Sequence, residues 1–508
     1  MVLRTLVMVF AALLNAVTLF GGQPSSGLRF EIALDSSMSA QPPGRLLVVI
    51  APGVRFEPKR SLGRTGRGAV PTIGVDVPAL APGDVVTVGM SAAAFPLSSL
   101  AELPTGEHTA QAVLSTNRDL LLPDAPGNLY SDPVRVIVEP DMTAPVRVTL
   151  THRVSEEQLP PDDEHLRFIK IRSELLSAFH RRPIYLRAGV ILPRGFNEDS
   201  ERRYPLRVRT GGYGARYTAV RAMMLPGSSF RTAWMAEDAP RMLLVHLDGA
   251  GPYGDPYQVN SANNGPYGDA VTRELIPYVE REFRGIGQAH ARVLDGSSTG
   301  GWVSLALQVF YPDFFNGAWA SCPDSLDFRA FQLLDIYDDE NAYVDERGTE
   351  RLSARNRDGS TRFTMRHELR MENVLGVGDS WTMSGRQWGA WNATYGPRGA
   401  DGRPVPLWNP STGAVDPSVA SRWERYDLRH ALAVRWEELA PKLSGKLNIW
   451  VGEMDDYFLN EAVQLFDQFL QARPSIEARI EYGAGQGHCW TGISPAQMMR
   501  EMARATTR

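Results

Sequence analysis

Three features of the sequence predict an all-β domain followed by an α/β domain. Short alternating runs fill the first third of the chain, strands alternate with helical segments in the rest, and one Gly-x-Ser-x-Gly turn lies between an apolar run and a helix-compatible stretch. The 508 residues suffice for several domains with sizeable cores, and 43% apolar with 22% charged residues describes an ordinary globular chain, not a fibre or a disordered one. A net charge of −5, with no basic run interleaved with aromatics, excludes any compositional argument for a nucleic-acid partner.

In residues 1–22, MVLRTLVMVFAALLNAVTLFGG, Arg4 precedes an apolar run that ends in small residues. That is the layout of a secretory signal peptide, and it predicts a secreted or periplasmic protein with no membrane span after signal removal. Residues 27–154 carry the runs LRFEIAL, RLLVVIA, DVVTVGM, PVRVIVEP and PVRVTLTHRV between Pro/Gly-rich turns. Val134, Val136 and Val138, then Val146, Val148 and Leu150, recur at period two, so each run can bury one face, as in a β-sandwich of the immunoglobulin-like kind. Packing is its favoured role; carbohydrate binding, an oligomer contact or a cover over a cleft are alternatives. The polar, proline-containing stretch 155–165 is the predicted linker.

Residues 166–508 predict strands near Leu166 to Arg172, Pro183 to Leu192, Leu206 to Thr210, Met242 to Asp248, Ala291 to Asp295, Gly317 to Ser321, Lys446 to Gly452 and Glu477 to Tyr482. Eight strands in a mostly parallel sheet, with the serine turn after the fifth, is the count of an α/β-hydrolase. Residues 323–441, between the sixth and seventh strands, are far longer than a connection needs and are expected to lie over the site as a lid. Their tryptophans, Trp381, Trp388, Trp391 and Trp408, can line a cleft or make the insertion's own core.

The turn Gly296-Ser297-Ser298-Thr299-Gly300 makes Ser298 the candidate nucleophile, because a strained strand-to-helix corner leaves no room for side chains two residues on either side. The Thr299 N–H would face a developing oxyanion at the positive end of the following helix. A hydroxyl needs a base, itself oriented by an acid, and in this fold these follow the serine in the order acid, histidine. Asp455 is the first choice of acid, with Asp456 and more remotely Glu453 as alternatives; His488, after a Gly-rich run, is the base. A second oxyanion donor is expected from Gly212, or from Tyr213, after the third strand. Tyr253, Tyr257, Tyr267 and Trp302 are the candidate substrate contacts. Cys322 and Cys489 are either a disulfide or two buried thiols, and no His or Cys spacing suits a metal, so no cofactor is expected.

With these residues in place the chain resembles the esterase family of the esterase D type, which includes S-formylglutathione hydrolase, feruloyl esterases and enterobactin esterase-like proteins. The resemblance lies in RAGVILPRGF, YPLRVRTGG, LVHLDGAG, RELIPYVEREFR, DGSSTGGWVSLALQVFYPDFFNGAWASCPD, VGEMDDYFLNEAV and GHCW, across Ile169 to Arg500 outside the insertion. It implies an α/β-hydrolase acting through Ser298, Asp455 and His488, without metal, by way of an acyl-enzyme. The expected activity is cleavage of a small-molecule or carbohydrate-linked carboxylic ester; acyl transfer, peptide cleavage and a catalytically silent binding protein are the alternatives. Thr210-Gly211 stands where the family usually has His-Gly, and the long insertion is a second departure.

Overall fold

The structure, a computed structural model, describes residues 27–55, 57–473 and 475–507; the expected signal peptide lies outside them. Among the described residues no helix is long and apolar enough to cross a membrane.

The first domain has nine strands: β1 Phe30–Leu34, β2 Gly44–Pro52, β3 Thr72–Val77, β4 Val85–Val88, β5 Ala93–Phe95, β6 Gly106–Ser115, β7 Leu129–Ser131, β8 Val134–Val138 and β9 Val146–Arg153. They form one continuous ladder, β4-β1-β9-β7-β6-β2-β3-β5, with β8 also on β6, in place of two separately bonded sheets. Phe30 and Ile32 from β1, Leu46 and Val48 from β2, and Val148 from β9 share a single core, so the ladder folds around one interior. The pleat then gives β2 two different faces. Leu46, Val48 and Ile50 point into that interior, while Leu47 and Val49 pack with Met371 and Val374 of the insertion. Arg45 on the same strand donates to the Val374 carbonyl and pairs with Asp379, so the β domain is bound to the insertion by polar as well as apolar contacts.

The second domain's sheet consists of β10 Leu166–Ser173, β11 Ile184–Ile191, β12 Leu206–Thr210, β13 Leu243–Leu247, β14 Arg292–Ser297, β15 Ala318–Ser321, β16 Leu447–Gly452 and β17 Ala478–Gly483. Their order is β10-β11-β13-β12-β14-β15-β16-β17. Only β11 runs against its neighbours, and every pairing from β13 to β17 is parallel. Burial on both faces explains why these strands carry near-continuous apolar runs; LLVHL of β13 is buried throughout. Thr210 pairs with Gly296, and Ser297 with Ser321, so the loops after β12, β14 and β15 leave the sheet edge at one level. That edge is the carboxyl end, where open α/β sheets hold their ligands.

The insertion carries the helices Met365–Leu375, Gln387–Tyr395, Pro417–Trp423 and Leu428–Val434. Trp381 and Trp408 stack at 4.6 Å, Trp388 meets Trp408 edge-on at 5.1 Å, and Trp391 meets Trp388 at 4.7 Å. All four belong to the same core as the sheet, so the insertion is packed down on the carboxyl edge and its aromatic groups are mostly interior.

Candidate active site

The elbow is strained as its sequence requires. Ser298 sits at φ 56° and ψ −125°, a conformation that side-chain-bearing residues adopt only where the surroundings impose it, and the helix Thr299–Phe310 starts immediately after it. A Cβ on Gly300 would stand 2.5 Å from the Thr210 carbonyl carbon, and one on Gly296 would run into the Gly300 backbone. The two glycines therefore let strand, helix and the β12 loop meet at one point. Beneath the corner Asp295 is fully buried between Arg207 and Arg209, with bonds of 2.7 and 2.8 Å from Arg207; burial alone would raise its carboxyl, but the two guanidinium groups hold it below its ordinary value.

A cavity of about 380 Å³ opens over the elbow, and Ser298, His488, Gly212 and Tyr213 all line it. His488 follows β17. Its Nδ1 lies 2.8 Å from Asp455 Oδ2, and the other Asp455 oxygen accepts from the Tyr457 N–H at 2.9 Å, so one buried carboxylate both orders its own turn and orients the ring. Asp456 takes a different part: its Oδ1 accepts the His488 backbone N–H at 3.2 Å. Glu453 is exposed, and among the described residues no hydrogen bond or ion pair joins its side chain to His488. Burial disfavours a charged His488, but the hydrogen bond and charge of Asp455, with Asp324 and Asp456 beyond it, outweigh that and raise its pKa above the ordinary histidine value. An imidazole held this way can take up a proton and keep its orientation. Ser298 Oγ is turned toward Asp324 Oδ1 at 3.5 Å, and no hydrogen bond joins it to His488 among the described residues.

Gly212 approaches the elbow closely enough that a Cβ on it would be 3.9 Å from Ser298 Cβ. Its loop is fixed by Asp255, which accepts from the N–H groups of Gly214 at 3.1 Å and Tyr257 at 3.0 Å. Complete burial pushes the Asp255 carboxyl up to about 7. The Tyr213 hydroxyl donates to the Gly385 carbonyl at 2.7 Å, which ties the same loop to the insertion.

The four expected substrate contacts are corrected by the structure: Tyr253, Tyr257, Tyr267 and Trp302 do not line the cavity. Tyr257 and Trp302 are completely buried and pack edge-on at 5.8 Å, and Tyr267 is 4% exposed. Tyr253 is half-buried, its hydroxyl 3.4 Å from the Gly402 carbonyl. Large rings gain most by burial inside the fold, and Tyr257, Tyr267 and Trp302 belong to the core around the sheet. The insertion supplies lining residues instead, Asp324, Gln332, Gln387 and Trp391, and Tyr457 lines the cavity too. Asp324 is the main residue that the sequence reading missed, and its signal was available: Ser-Cys-Pro-Asp begins at the end of β15, level with the elbow.

Cys322 and Cys489 form a disulfide. It joins the loop after β15 to the loop after β17, two residues from Asp324 and one from His488. These two cysteines and His488 also lie close enough to suggest a metal site, but sulfurs bonded to each other are not thiolate ligands.

Comparison with known proteins places the chain. No curated protein matches it. Among solved structures, a ferulic acid esterase aligns at 14% identity, covering 67% of this chain and 97% of its own, with a TM-score of 0.41. An S-formylglutathione hydrolase from Agrobacterium tumefaciens aligns at 12% identity over 68% and 95%, with a TM-score of 0.38. A fluorophosphonate-binding serine hydrolase of Staphylococcus aureus aligns at 14% over 67% and 96%, with a TM-score of 0.35. The family model described as "Esterase: Putative esterase" matches residues 187–489, more than half of the sequence, and the chain belongs to that esterase family.

Proposed function

We propose that the protein is an exported serine esterase that cleaves carboxylic esters through Ser298, His488 and Asp455. The observation that carries this reading is the 2.8 Å bond from His488 Nδ1 to Asp455, made at the rim of the cavity that the strained Ser298 elbow floors. Rotation of the Ser298 side chain away from Asp324 presents Oγ to His488 Nε2. His488 takes the hydroxyl proton as Oγ bonds to the ester carbonyl carbon, and the carbonyl electron pair moves onto oxygen. The N–H groups of Thr299 and Gly212 hold that oxyanion. Its collapse breaks the bond to the alcohol oxygen, which leaves with the proton from His488. Water, deprotonated by the same ring, then attacks the acyl-enzyme and releases the acid and free Ser298.

A disulfide beside the site suits an oxidising compartment, as export would provide. The test is hydrolysis of p-nitrophenyl acetate and butyrate together with fluorophosphonate labelling, by wild type and Ser298→Ala. Turnover and label that both disappear in the variant are expected. Label retained by the variant would move the nucleophile elsewhere, and folded wild-type protein with neither turnover nor label would refute the assignment.

A further inference from the structure

Asp324 is completely buried and unequally satisfied. Its Oδ2 accepts from the Tyr257 hydroxyl at 2.8 Å, from Trp391 Nε1 and Thr299 Oγ1 at 3.1 Å each, and from Gln387 Nε2 at 3.5 Å. The indole N–H and the amide N–H can only donate, so these bonds favour the carboxylate and saturate one of its oxygens, while burial outweighs them and raises the carboxyl above its ordinary value. Among the described residues Oδ1 has a single partner, the Ser298 hydroxyl at the 3.5 Å limit of a hydrogen bond, and Asp324 lines the same cavity. None of the ion pairs among the described residues includes Asp324.

A buried anion outside any ion pair is costly in itself, and here it stands 3.5 Å from the serine oxygen whose attack creates a second negative charge. A positive group carried by the substrate relieves both penalties at once. Before the serine turns to His488, Oδ1 lies 3.5 Å from Oγ on the cavity side that the rotation vacates. Once Oγ has bonded to the carbonyl carbon, a substituent on the neighbouring acyl carbon is only three bonds from Oγ and can extend into that space toward Oδ1. We infer that Oδ1 of Asp324 receives an ammonium group on the acyl carbon next to the scissile carbonyl, so that the preferred substrates are esters of α-amino acids. The inference rests on the serine-esterase reading. Tyr257, Thr299, Trp391 and Gln387 serve it by holding the carboxylate in place, and the same charge selects against acyl groups that carry a carboxylate.

The test compares alanine methyl ester with its neutral isostere methyl isobutyrate, and with 2-aminoethyl isobutyrate, at roughly pH 6, below the α-amino range. Each kcat/KM is divided by that ester's rate with hydroxide ion. Alanine methyl ester is expected to lead methyl isobutyrate by about 10- to 100-fold, the worth of a charge-assisted hydrogen bond, and Asp324→Asn to remove most of that lead. The ratio is taken within one preparation, so the folded fraction of the variant cancels, and the wild-type comparison stands without it. Equal rates for the two esters, or a preference for the amine on the alcohol side, while p-nitrophenyl acetate is turned over, would overturn the inference and leave the esterase reading intact. Failure of every ester, p-nitrophenyl acetate included, would instead remove the reading on which it rests.

Discussion

Replacing Gly300 with alanine tests the architecture of the elbow at its tightest point. The added Cβ would lie 2.5 Å from the Thr210 carbonyl carbon. Two carbon atoms in contact prefer about 3.5–4.0 Å, so the shortfall is about 1 Å or more. The atoms in the way are backbone of the β12 loop, which cannot rotate aside as a side chain would. That loop carries Gly212, so relieving the clash moves a proposed oxyanion donor away from Ser298. Overpacking of this kind costs about 1–3 kcal/mol of stability, and a misplacement of about 1 Å in a reacting constellation costs on the order of 100-fold in rate. The expected result is therefore a folded protein with a modestly lowered urea midpoint and p-nitrophenyl acetate kcat/KM reduced about 100-fold. Gly89→Ala, whose Cβ would meet only Arg29 at 3.9 Å, serves as the control and should match wild type in both. Wild-type turnover by Gly300→Ala would refute the view that the close approach of the β12 loop to the elbow positions the oxyanion donor.

Three further outcomes are expected. Because His488 must be neutral to act as base and its pKa is raised, the acid limb of the kcat/KM profile should rise at a pH above the ordinary histidine value of 6.5; Asp455→Asn should shift that limb downward and reduce turnover by about 10⁴-fold, and an unshifted limb would contradict the pairing. The Cys322–Cys489 bridge spans 167 positions, for which loop-closure entropy gives about 5 kcal/mol, so Cys322→Ser with Cys489→Ser should lower the thermal midpoint of the catalytic domain clearly; an unchanged midpoint would mean that the crosslink constrains nothing. Glu372, buried in the insertion beside Glu368 and accepting from the Ser384 hydroxyl and the Trp388 and Gly389 N–H groups, has its carboxyl pushed by burial up to about 8 from 4.5. A raised acid stabilises the fold fully below its unfolded value and loses that contribution as pH rises through about 8, so the wild-type midpoint should fall relative to Glu372→Gln across that window; parallel curves would place the proton elsewhere.

The catalytic sheet was legible because its strands are buried on both faces, and each of the eight lies within about two residues of its expected position. The β domain was less so. Strand β6, GEHTAQAVLS, was missed because it is central and nearly all buried while reading as polar: His108, Thr109 and Gln111 are interior, Thr109 donating to the Gly53 carbonyl and Gln111 to the Ser131 carbonyl. Strand β3 was passed over too. Within the site, order along the chain sufficed to bring forward Ser298, His488 and the two adjacent acids. It could not say which acid faces the ring, since Asp455 and Asp456 differ only in the direction in which a tight turn points them. The position of Asp324 was signalled by Ser-Cys-Pro-Asp at the end of β15, but its burial was not, because its partners Tyr257, Thr299 and the pair Gln387 and Trp391 on one helix come from three separate stretches that only the fold assembles. Aromatic content cannot separate a cleft wall from an interior ring, which is why Tyr253, Tyr257, Tyr267 and Trp302 were misplaced; Gln332 and Gln387 belong to no motif that marks a cavity wall.

The two-sidedness of β2 has a consequence for how such a protein can be altered. One edge-to-edge ladder hands Leu47, Val49 and Arg45 to the 323–441 segment, which in turn supplies Gln332, Gln387 and Trp391 to the cavity. The three parts are therefore inherited as a unit. A catalytic domain cut free at its linker would bare Met371 and Val374 and leave the Val374 carbonyl without its guanidinium, and grafting the segment onto a smaller relative would carry the same bare face with it. New specificity is reached by exchanging individual wall residues in a frame that stays whole.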